Sequence, residues 1–148
     1  MNYWFECKVS YERQADSMGM KKVSESYLVD ALSFTEAEKR IIKEVRPFVS
    51  VGELEVVNIR RARIAELFLN DDAEDDRYFR AKVNFITVDE KSGSEKKTSA
   101  TMIVKSDSLP NAVTELKAQL DSQMASYEIA AVTDTQILDV FQYEAPEK

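Results

Sequence analysis

The sequence predicts an α+β fold: one ββαββ unit used twice, with antiparallel sheets, two helices and a pseudo-twofold relation between the halves. Three observations predict it. Several segments alternate apolar and polar residues with the period of two of a half-buried strand. Two stretches carry apolar residues at spacings of three and four behind a serine, the stripe of an amphipathic helix behind its N-cap. The residues in and around these elements also recur in phase, at offsets of 73 to 75 positions.

The first strand spans residues 3–11, where Phe5, Cys7, Val9 and Tyr11 point one way and Trp4, Glu6, Lys8 and Ser10 the other. A polar segment with Gly19 leads into Met20–Ala31, so the two strands form a hairpin with a long loop. Ser33, Phe34, Thr35 and Glu36 form a capping box, in which the hydroxyl accepts from the Glu36 amide and the carboxylate reaches back. Apolar residues at 34, 37, 41, 45 and 48 make the helix stripe, and Pro47 ends it. Leu54–Arg60 and Arg63–Asn70 read as strands, and Asp71–Asp76 as an acidic loop. Tyr78–Val88 and Glu95–Lys105 form a second hairpin around Lys91–Ser94. Ser108, Leu109 and Pro110 start a second helix, striped by Leu109, Ala112, Leu116 and Leu120. Tyr127–Thr133 and Gln136–Tyr143 are the last strands.

The halves align through Phe5 with Phe79, Lys8 with Lys82, Val9 with Val83, Lys22 with Lys97, Val29 with Val104, Ser33 with Ser108, Ala37 with Ala112 and Phe68 with Phe141. A single domain over 1–148 is therefore expected, built of repeats near 2–70 and 77–144 joined by an acidic linker at 71–76. A chain of this length buries roughly 70% of its unfolded surface, enough for one core. The repeat-equivalent apolar residues Phe5, Val9, Ile41, Val45, Phe68, Phe79, Val83, Leu116, Leu120 and Phe141 are expected to be nearly inaccessible.

Composition narrows the chemistry. The net charge of −7, from 20 basic and 27 acidic residues, excludes a uniformly basic nucleic-acid binder but not a locally basic face. The chain has no His, removing the commonest general base and metal ligand. A single Cys forms no internal disulfide, which favours a reducing compartment. Cys7 falls on the inward face and reads as core. Three isolated glycines make no phosphate-cradling loop. A non-catalytic protein without cofactor or metal is expected. The N-terminus MNYWFECKV lacks a basic region and a long apolar run, and no 18-residue apolar stretch occurs. The expectation is a cytoplasmic protein with no membrane partner.

The stretches WFECKV, YLVDALSFTEAE, AELF and FITVDEKSGSEKKT resemble an uncharacterised domain family found in Bacteroidota and their phages, over essentially the whole chain. That resemblance implies no activity. Read from Leu54, the element order is a circular permutation of a doubled ββββα, similar to Whirly-type single-stranded DNA-binding domains. This second similarity is an analogy of element order, without a shared motif.

Candidate binding residues lie on the outward face of each hairpin. Trp4 and Lys8, with Lys22 beside them, recur as Tyr78 and Lys82 with Lys97, and Arg80 stands where the first strand has Glu6. Aromatic platforms beside cations suit single-stranded nucleic acid, whose bases stack on rings while its phosphates meet the charge. Arg60, Arg61 and Arg63 concentrate positive charge at a strand corner, able to hold phosphate or to pair with Glu53 or Glu55. The expected partner is single-stranded DNA; the alternative is a protein, gripped by an adaptor or inhibitor of phage or mobile-element type. The acidic segment 71–76 lacks the glycine and closing glutamate of a calcium loop and reads as a linker.

Overall fold

The computed structural model describes residues 3–15 and 19–142. Tyr143, the predicted end of the last strand, lies outside the described residues. The elements in chain order are β1 (Tyr3–Ala15), β2 (Gly19–Ala31), α1 (Phe34–Val45), β3 (Val51–Ala62), β4 (Glu66–Phe68), β5 (Arg77–Val88), β6 (Glu95–Ser106), α2 (Leu109–Asp121), β7 (Tyr127–Asp134) and β8 (Ile137–Phe141). A short 3-10 turn, Arg46–Phe48, carries Pro47 and closes α1, because proline cannot continue the helical ladder. The fold is mixed α+β, as expected, with two four-stranded sheets ordered β3-β1-β2-β8 and β4-β6-β5-β7.

Both helices begin where the sequence places them. Ser33 and Ser108 sit in extended backbone and accept from the amides of Glu36 and Asn111, at 3.2 and 3.3 Å. Glu36 reaches back to the amide of Leu32, one residue before the cap, at 3.2 Å. Gly93 turns the second hairpin at φ 71°, a left-handed conformation open to glycine at little cost, and its amide donates to the Asp89 carbonyl at 2.7 Å.

The duplication is visible in the registers. Phe5 faces Val29 as Phe79 faces Val104, and Lys8 faces Ser26 as Lys82 faces Thr101. On the other side, Lys8 faces Asn58 as Lys82 faces Ala131, and an irregularity follows at once in both, between Lys8 and Val9 and between Lys82 and Val83. The same irregularity at equivalent places in the two sheets is what an internal duplication predicts.

The last strand of each repeat pairs away from its own repeat. β4 runs parallel to β6, with Phe68 opposite Val104, and β8 runs parallel to β2, with Phe141 opposite Val29. The chain accordingly forms two compact units, one of residues up to Arg63 with those from Gln136 onward, the other of Ile64–Thr135. The acidic segment 71–76 lies within the second unit. It folds on itself, with the Asp72 and Glu74 amides donating to the side chains of Asn70 and Asp72.

Each unit has its own core between helix and sheet. In the first, Phe5, Cys7, Val9 and Tyr11 meet Ala37, Ile41 and Val45. In the second, Phe79, Ala81 and Val83 meet Ala112, Leu116 and Leu120. Phe68 and Phe141, expected to be inaccessible, are only half-buried. They stand on short edge strands, with a neighbouring strand on one side only.

Candidate nucleic-acid interface

The faces turned away from the helices carry the predicted binding residues, and each has two different ends. At one end the first unit has Trp4, Leu28 and Val140, and the second has Tyr78, Ile103 and Leu67, by register. Leu28 and Ile103 are fully buried, and Tyr78 is 4% exposed. Tyr78 was expected to stand in solvent as a stacking platform; it does not, and Trp4 is half-buried. The reason lies in the neighbouring strands. Tyr27–Val29 and Met102–Val104 are continuous apolar runs, and a run without alternation buries both faces of its strand. The aromatic residues share that apolar end.

The other end is polar, although Ser10 of β1 is buried there. Lys8 lies on central strand β1 between Ser26 and Asn58; Lys82 lies on central strand β5 between Thr101 and Ala131. Both lysines are exposed. Neither takes part in any of the ion pairs found among the described residues.

The remaining predicted cations are differently placed. Lys22 faces Glu55 at 3.9 Å, and Lys97 meets Glu128 at 3.0 Å. Hydrogen bonds from Lys97, first, and Asn84 hold the Glu128 carboxyl below its ordinary range. Arg60 donates through Nε to Glu6 at 2.8 Å, so its partner is Glu6 across the strand pair and not Glu53 or Glu55. Arg61 covers the Tyr3 ring at 4.0 Å. Arg80 is half-buried and already engaged. Arg63 is exposed just beyond β3. The arginine corner is thus largely committed to cross-strand contacts.

A groove of about 510 Å³ opens beside Lys8, lined by Arg13, Ser24, Ser26, Gln136 and Leu138 among others. At its edge lies a cluster that the sequence reading missed. Glu25 accepts from the hydroxyls of Tyr11 and Tyr27, at 2.6 and 3.0 Å, and pairs with Arg13 at 3.5 Å. Burial, then the Glu25 interactions, raise both phenols above their usual range. The signal was available: in the series Val23, Glu25, Tyr27, Val29 a carboxylate occupies an apolar register.

Cys7 is fully buried, and desolvation, followed by the charge of Glu6, pushes its thiol up to about 12. A thiol held neutral is a packing group rather than a nucleophile.

No curated protein matches the sequence. Residues 3–143 match the family described as Domain of unknown function (DUF4494). With nearly its whole length so matched, from the first residue of β1 to past the end of β8, the chain belongs to that family.

Proposed function

We propose that the protein is a non-catalytic binding module whose ligand is single-stranded nucleic acid, held at the polar end of each sheet face. The observation that carries this is the recurrence of Lys8 and Lys82. They are equivalent positions on two central strands, exposed and outside the ion pairs that engage Lys22, Arg60 and Lys97. Hydroxyl and amide neighbours, Ser26, Asn58 and Thr101, add donors without opposing charge. With Tyr78 buried, stacking contributes little, and phosphate contact dominates. The Whirly-like element order, an analogy of topology, supports the same reading.

The test is a fluorescence-anisotropy titration with a labelled dT oligonucleotide at two salt concentrations. Weak binding that falls with salt is expected. Lys8→Ala and Lys82→Ala should each lower the slope of log K against log salt by about 0.7, the value for one phosphate on a single strand. A second reading, an adaptor that grips a protein, is favoured by the net charge of −7. Folded protein that fails to bind dT at low salt would leave that reading in place.

A further inference from the structure

The two sheets have four outer edges, and three are unsuited to further pairing. β4 and β8 are three and five residues long. β7 carries Glu128 and Asp134 as its only charged residues, so a second copy would meet like charge. β3 is different. It is twelve residues long, with β1 on one side and no strand on the other among the described residues. Its first half carries Glu53 and Glu55, its second half Arg60 and Arg61, and between them lies Val57, 50% exposed.

We infer that β3 pairs antiparallel with β3 of a second copy of this chain, joining two sheets across a twofold axis at Val57 and Asn58. Antiparallel pairing inverts direction, so a strand acidic at its start and basic at its end complements itself. The bulge makes the match one of faces as well as of charges. Glu55 lies opposite Ser10 and Arg60 opposite Glu6, so both project from the face away from α1. Val56 lies opposite Val9 and Ile59 opposite Cys7, on the helix face. In an unbulged strand residues 55 and 60 would point to opposite faces; the extra residue at 57 brings them to one. A register that sets Glu55 against Arg60 of the second copy also sets Val56 against its Ile59, and both pairs agree in face. Arg60 then lies between its own Glu6 and the incoming Glu55. The groove of about 360 Å³ along this strand, lined by Phe34, Thr35, Glu38 and the β3 residues Val56, Val57, Asn58 and Ile59, leaves that side of the strand open.

The experiment is the solution mass by light scattering over a concentration series. Twice the chain mass of 16.9 kDa is expected at high concentration, declining on dilution. Val57→Asp sets two carboxylates beside the axis and should give monomer at the same concentration, with an unchanged circular dichroism spectrum. Glu55→Arg, at an exposed position, sets arginine against Arg60. It should weaken association at least about tenfold, since the twofold repeats each change. A wild-type chain that stays monomeric throughout overturns the inference, as does a dimer that both variants leave intact.

Discussion

Glu25 is held by three donors on a face otherwise given to Val23, Tyr27 and Val29, and its setting makes stability depend on alkali. The phenols of Tyr11 and Tyr27 are raised, so the folded chain keeps them protonated where the unfolded chain ionises them. The sign follows: their contribution is complete below pH about 10 and is lost as pH rises above it. The urea midpoint should therefore fall above pH about 10, and Tyr11→Phe/Tyr27→Phe should flatten that fall. An equally steep decline in the double variant would assign the effect elsewhere. Tyr27→Phe alone should cost roughly 0.5–1.5 kcal/mol near neutrality, because Glu25 keeps Tyr11 and Arg13. Cys7 gives a second check at this scale. Buried and protonated, it should resist a thiol reagent in native buffer and react at once in denaturant; fast native labelling would contradict its place under α1.

The helices were legible in the sequence because capping is local. A serine followed by the right amides specifies a start without knowledge of the rest of the fold. Ser108→Ala should cost about 1 kcal/mol, measured by chemical denaturation. Ser33→Ala should cost as much, and adding Glu36→Ala should cost more, since Glu36 also satisfies the Leu32 amide. The strands were legible where they alternate, as in Phe5, Cys7, Val9 and Tyr11. What was misread followed from applying alternation to a whole face. Tyr78 shares its parity with Lys82, but it lies diagonal to Ile103, and the run Met102–Val104 marks that end of the strand as buried on both sides. For that reason the exposure of Lys8 and Lys82 was legible in the sequence, and the burial of Tyr78 was not. The partners of β4 and β8 were not legible at all, because strands this short carry too little pattern to specify a neighbour.

At the scale of the molecule, the sequence repeats and the compact units have different boundaries, and this difference can be measured. The second sheet takes all four of its strands from Ile64–Thr135. A fragment cut by repeat, residues 77–142, keeps β5, β6, α2 and β7 but loses β4 and gains β8, whose pairing partner β2 it lacks. In that fragment β6 has an open edge at Met102–Val104, and Val104 loses the cover of Phe68. Restoring one half-buried aromatic and a strand's hydrogen bonds is worth roughly 1–3 kcal/mol. That is decisive for a fragment this small, which buries only about 60% of its unfolded surface. Residues 64–135 should therefore melt cooperatively by circular dichroism, at a higher temperature than residues 77–142. If the fragment cut by repeat melts as high and as sharply as the fragment cut by unit, β4 contributes nothing to the second sheet.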